Sequence, residues 1–188
     1  MKISDTLNKT TKTLFSFEIL PPLKGATLEE IYQTVEPLME FNPPYINVTY
    51  HREEVLYNEL PSGMIEKRVV KKRPGTVGIA AALRYHYKVN VVPHIICGGF
   101  SKDETENALI DLHFLGINNV LAVRGDAERG MKSFQADPQG HAYAVDLVKQ
   151  IVDLNNGKYL DEGLENATAT DFCIGVAGYP EKHSESPN

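Results

Sequence analysis

The sequence predicts an α/β fold built on a parallel sheet, and three observations carry that prediction. Strand-like and helix-like segments alternate along the chain. Two helix starts carry a capping box, Thr27 with Glu30 and Ser101 with Glu104. Residues 90–97 are almost continuously apolar, as expected of a parallel strand covered on both faces. Five such strands are readable and no sixth. The fold is therefore either a five-stranded doubly wound sheet or the first part of a (β/α)8 barrel.

The elements follow in order. Residues 14–20 (Leu-Phe-Ser-Phe-Glu-Ile-Leu) form the first strand, stopped by Pro21-Pro22. A helix spans 27–41, and Pro37 is expected to kink or divide it. The second strand is 45–50, introduced by Pro43-Pro44. Residues 51–88 read as a loop and two helices broken at Pro74-Gly75, with Thr76 capping the second. The basic run 67–73 then reads as a solvated helix face. After the third strand, the helix opened by Ser101 has an inner face of Leu109, Leu112 and Leu115 and ends at Gly116. The fourth strand is 119–123, a helix covers 143–154, and 156–170 is a polar surface insertion. The fifth strand is 172–177.

Composition bounds the function class. The chain has 188 residues, 42% hydrophobic and 23% charged, enough for one domain with a sizeable core. A formal charge of −6 argues against a nucleic-acid partner. The polar start lacks the apolar stretch of a signal peptide, and no stretch approaches the ~18 apolar residues of a membrane span, so a cytoplasmic protein without membrane contact is expected. Cys97 and Cys173 lie in apolar strand-like runs and read as buried, reduced thiols. No Gly-rich phosphate loop, no metal-ligand spacing, no Gly-x-Ser-x-Gly and no activated-cysteine context is present.

The polar residues are concentrated at the strand ends. In strand order they are Glu18, Thr49 with Tyr50, His94, Arg124 with Asp126, and Tyr179 with His183. Ligands of parallel α/β folds sit at the carboxyl ends of strands, so this pattern outlines a catalytic crevice. Glu18 stands among Phe and Leu, where a carboxylate either titrates high or meets a cation. The bland readings stay open. Glu18 and Ser16 would share the polar face of an edge strand, His94 would be a satisfied core histidine, and Arg124 would simply pair with Asp126. The Arg124-Gly125-Asp126 match to an adhesion tripeptide reads as coincidence. A further barrel reading makes Glu18 and Asp126 an acid/base pair acting on a phosphorylated or sugar-like substrate.

Six motifs in order resemble methylenetetrahydrofolate reductase. They are Phe15-Ser-Phe-Glu-Ile-Leu-Pro-Pro22, Asn47-Val-Thr-Tyr50, Val92-Pro-His-Ile-Ile-Cys97, Leu121-Ala-Val-Arg-Gly-Asp126, Tyr143-Ala144 and Ala177-Gly-Tyr-Pro-Glu-Lys-His183. The resemblance implies a (β/α)8 TIM barrel, of which residues 1–188 carry about the first five βα units, with the carboxy-terminal units absent. It implies a cytoplasmic oxidoreductase of folate and one-carbon metabolism, on the route to methionine. In that family hydride passes from NAD(P)H to FAD and on to methylenetetrahydrofolate. Glu18 would be the general acid that opens the folate's five-membered ring, and Asp126 would lie near flavin and pterin. Thr49 would meet the nicotinamide. Tyr50, His94, Arg124, Gly125, Ala144, Tyr179 and His183 would hold FAD. Where the family commonly has small residues after the second strand, His51-Arg52 stand here. The expectation is a truncated reductase of impaired activity; the alternative is a non-catalytic fragment that needs a partner chain to complete the barrel. Homo-oligomerisation is left open.

Overall fold

The computed structural model describes residues 1–127 and 131–181. In chain order these form α1 (Ile3–Lys9), β1 (Phe17–Ile19), α2 (Leu28–Met39), β2 (Tyr45–Val48), β3 (Glu54–Glu59), β4 (Ile65–Val70), α3 (Thr76–Tyr87), β5 (Asn90–Ile96), α4 (Lys102–Phe114), β6 (Asn119–Val123), α5 (Ala144–Asn155) and β7 (Cys173–Val176). Five strands make one parallel sheet in the order β1-β2-β5-β6-β7. The parallel strands thus lie side by side in the order in which they occur, with no point where the winding reverses.

Winding direction decides between the two architectures. A doubly wound sheet reverses its strand order and carries helices on both faces. Here Ile31 and Val35 of α2, Ile79 and Leu83 of α3, Leu109 and Leu112 of α4, and Leu147 and Ile151 of α5 join one core cluster. That cluster includes Ile19, Ile46, Val48, Val91, Ile95, Val120 and Ala122, which share one face of the sheet by strand alternation. All four helices therefore cover the same face, as in a (β/α) barrel. Each fully buried Leu or Ile contributes roughly 1.5–3 kcal/mol, so this one-sided cluster is the main stabilising feature.

Two helix starts behave as the sequence reads, and the third, at Thr76, does not. Both capping boxes form, with Thr27 and Ser101 each accepting from the backbone N–H of a Glu three residues on. Pro37 lies in the last turn of α2 and does not divide it. The residue before α3 is Gly75, so Thr76 is not its cap; its hydroxyl donates to Val48 O at 3.1 Å and ties α3 to the end of β2. Gly116, at φ +66°, ends the turn after α4. Cys97 is buried, whereas Cys173 is only partly so and lies 3.7 Å from the Ser4 hydroxyl.

The largest correction falls between β2 and α3. The segment read as a loop and a first helix is an antiparallel hairpin, β3 paired with β4 from Glu54↔Val70 to Glu59↔Ile65. Pro61-Ser62-Gly63 turns it. Leu60 N donates to Met64 O, and Gly63 adopts φ +78°, a left-handed position that glycine takes at low cost. Val55, Tyr57, Ile65, Val69 and Val70 suit a pleated strand better than a helix surface. The basic run 67–73 is therefore solvated strand and loop, with Lys72 paired to Glu54 and Arg73 donating to Pro21 O.

Candidate active site

The face of the sheet away from the helices carries the candidate site. The register puts Glu18 beside Asn47 and Asn47 beside Val92, and it puts His94 beside Leu121. Glu18, Asn47, Val92, His94, Ile96, Leu121 and Val123 consequently project from one face. At its carboxyl end lies a cavity of about 930 Å³, lined by Thr49, Tyr50, His94, Ile96, Gly125 and Asp126 among others. That volume is at the upper end of the roughly 300–1,000 Å³ typical of small-molecule and cofactor sites.

Each of these residues is placed by an identifiable local cause. Thr49 extends the β1–β2 ladder: its N–H donates to Ile19 O at 3.0 Å and its hydroxyl donates to the same oxygen at 3.3 Å. The Tyr50 ring meets Phe100 edge-on at 5.0 Å. Burial, helped by Glu53 and Glu104, pushes the Tyr50 phenol up to about 12, so it stays protonated and hydrogen-bonds as a neutral group. Past β6 the chain turns at Gly125, φ +83°, which brings Asp126 to the cavity wall. The Arg124 guanidinium lies 5.0 Å above the Phe134 ring, a cation–π contact.

His94 is the buried polar group of the site. It is 9% exposed, and desolvation lowers its pKa more than Glu18 raises it. Its Nε2 lies 3.6 Å from Glu18 Oε2 and has no hydrogen-bond partner among the described residues. Glu18 itself is not wrapped in apolar groups as the sequence suggested, since 57% of its side chain is accessible. The reason is alternation. Phe17 turns to the helix side, where it meets Phe41 at 5.9 Å, and Phe15 is exposed, so neither covers the carboxylate.

Of the expected site residues, Thr49, Tyr50, His94, Gly125 and Asp126 line one cavity and Glu18 reaches it through His94. Arg124, Ala144 and Tyr179 are not in its lining. Ala144 is the first residue of α5, and Tyr179 is exposed in the loop past β7. His183 lies outside the described residues. The sequence reading missed the part of the wall formed by Val55, Leu56 and Tyr57 of the hairpin and by Met131; His51 and Arg52, marked as a departure after the second strand, line the cavity beside them. The Pro-Ser-Gly turn between Val55-Leu56-Tyr57 and a run holding Ile65, Val69 and Val70 was the available signal for it. It also missed buried His141, whose ring bonds Gln150; Gln150 in turn donates to Lys102 O at 2.9 Å and anchors the loop leading to Tyr143-Ala144.

Among the described residues no group of three or more His, Cys, Asp or Glu is placed to hold a metal ion, and no helix is long and apolar enough to cross a membrane.

Known proteins resemble this chain over nearly its whole length. The family model described as methylenetetrahydrofolate reductase matches residues 2–188. A methylenetetrahydrofolate reductase (NADH) 1 of Arabidopsis thaliana is 29% identical over 98% of this chain and 27% of its own length. Methylenetetrahydrofolate reductase 1 of Schizosaccharomyces pombe is also 29% identical, over 98% of this chain and 26% of its own. A 5,10-methylenetetrahydrofolate reductase of Buchnera aphidicola is 26% identical over 97% of this chain and 50% of its own. The chain thus spans about a quarter to a half of the length of the curated relatives it matches.

Proposed function

This chain belongs to the methylenetetrahydrofolate reductase family, and we propose that its strand ends form the amino-terminal share of an FAD- and NAD(P)H-dependent site that reduces methylenetetrahydrofolate. One observation carries the proposal: five residues named from the motifs, drawn from β2, β5 and β6 and the turns after them, line a single cavity of about 930 Å³, with Glu18 at its edge.

The residues fit a flavin by the chemistry of their donors. Gly125 lets the backbone pass close to a planar ring, and the His94 ring stands in the cavity wall. Neutral Tyr50 offers a hydroxyl. Helix α5 starts at Ala144 without a side-chain cap, and Asp146 N and Leu147 N donate to Tyr143 O, which leaves the N–H groups of Ala144 and Val145 for a phosphate oxygen; Arg124 adds a cation suited to anionic oxygens. When bound, FAD supplies the hydride relay between nicotinamide and folate. Thr49, held against Ile19 O, would border the nicotinamide at the cavity wall. Asp126 would orient the pterin and set the charge beside the flavin. Glu18, half accessible at the cavity edge, would deliver a proton to the folate nitrogen and open the five-membered ring.

Binding of FAD to the 188-residue protein tests this directly, by quenching of flavin fluorescence and co-elution on gel filtration. The expected result is saturable binding that Arg124→Ala weakens about tenfold or more, since a charge-assisted hydrogen bond is worth about 1.5–3 kcal/mol. Flavin that neither quenches nor co-elutes overturns the proposal.

A further inference from the structure

Glu18 and His94 stand on strands that are not neighbours, with β2 between them. Their side chains nevertheless meet across it, His94 Nε2 lying 3.6 Å from Glu18 Oε2. Leaving a buried ring nitrogen without a hydrogen-bond partner is costly, and Nε2 has none among the described residues. The separation is too long for a hydrogen bond, yet a small rotation of the half-accessible Glu18 side chain closes it. We propose that His94 is the positioning residue for Glu18: a buried imidazole that holds the carboxyl at the cavity edge whether or not the carboxyl carries its proton.

The chemistry of a neutral imidazole suits that role. Desolvation lowers the His94 pKa, with the Glu18 charge opposing it more weakly, so the ring is neutral at neutral pH. A neutral ring has one N–H and one lone pair, and either nitrogen can carry the hydrogen. With hydrogen on Nε2, His94 donates to the Glu18 carboxylate. With hydrogen on Nδ1, the Nε2 lone pair accepts from the protonated carboxyl. While Glu18 gives a proton from one carboxyl oxygen to a substrate nitrogen, Nε2–H keeps donating to the other oxygen, so the ring neither gains nor loses hydrogen in that step. Other charged or titratable groups surround His94. Tyr50 lines both cavities that His94 borders, Lys71 lines the small one, and His51, Arg52, Glu53, Glu54, Tyr57 and Asp126 line the large one. Among these groups and Glu18, the Glu18 charge is the one that shifts His94.

The value of this contact to catalysis rests on the role proposed for Glu18, but its test is independent of flavin. Ring nitrogen signals of 15N-labelled histidine are followed in the 188-residue protein from about pH 4 to pH 8. The expected His94 profile has two inflections, its own and a second one that comes from the contact with Glu18. Glu18→Gln should abolish the second and move the first to lower pH, because the charge that raised it is gone. A single inflection in the unmodified protein, or a His94 profile unchanged by Glu18→Gln, overturns the inference. Loss of FAD binding with a coupled profile intact would instead count against the functional reading and leave the pair standing.

Discussion

Gly140→Ala should destabilise the fold by about 2–4 kcal/mol, for a purely steric reason. Gly140 is not in a left-handed conformation, so an L side chain is allowed there by the backbone. A Cβ would nonetheless stand 2.2 Å from Phe100 O and 3.1 Å from Asp137 Cβ. A carbon needs about 3.3 Å from a carbonyl oxygen, so the backbone must retreat by roughly 1 Å. The loop has little freedom to do so. Gly140 N donates to Asp137 O at 2.9 Å, Lys102 N donates to Gln139 O at 3.1 Å, and the next residue, His141, is bonded to Gln150. Overpacking costs about 1–3 kcal/mol, and losing the Lys102 bond adds about 0.5–1.5 kcal/mol. At this chain length each kcal/mol moves the melting midpoint by about 2–4 °C, so a fall of roughly 4–16 °C is expected in thermal melts followed by circular dichroism. Gly78→Ala is the control of opposite sign. It lies inside α3 with nothing within 4 Å of the added Cβ, and should stabilise by about 0.5–1 kcal/mol. Equal melting of Gly140→Ala and the unmodified protein would refute the reasoning.

Three further outcomes are expected. In a form of the protein that turns over folate, Glu18→Gln should leave NAD(P)H-driven flavin bleaching intact and slow folate reduction by about 10²–10⁴-fold; equal loss of both half-reactions would contradict its assignment as the acid. Burial pushes the Cys97 thiol up to about 11, so thiol titration with Ellman's reagent at pH 8 should modify Cys173 first and Cys97 only on unfolding. Because the folded pKa of Cys97 is the higher one, its contribution to stability is complete below the ordinary thiol range and is lost as pH rises toward 11, measurable as a falling urea midpoint. Gly125→Ala meets only ordinary contacts at Ile96 but sits at φ +83°, so it should cost about 1–2 kcal/mol and weaken FAD binding, with Gly125→Asn milder, read by the same melts and titrations.

What could be read along the chain was whatever neighbours in sequence decide. Thr27 with Glu30 and Ser101 with Glu104 begin helices because a cap and its partner lie within one turn. The apolar run of β5 marks a strand covered on both faces for the same local reason, and the strand-end motifs already pointed to one crevice. The hairpin was missed although its turn was local. Lys67 to Arg73 suggested a charged helix face, whereas the β-branched residues around Pro61-Ser62-Gly63 favour a ladder.

By itself, then, the sequence determined the alternation of strands and helices, the caps, and the polar residues at the carboxyl ends of the strands. Only the tertiary structure decided that all four core helices cover one face, which makes the winding that of a barrel and not of a doubly wound sheet. It also decided that Glu18 is open to solvent and its Phe neighbours are turned away, and that His94, two strands distant, is what it faces. The physical reason is range. Capping and alternation act over three or four residues, but the environment of a side chain on a sheet depends on its register against strands far away in sequence.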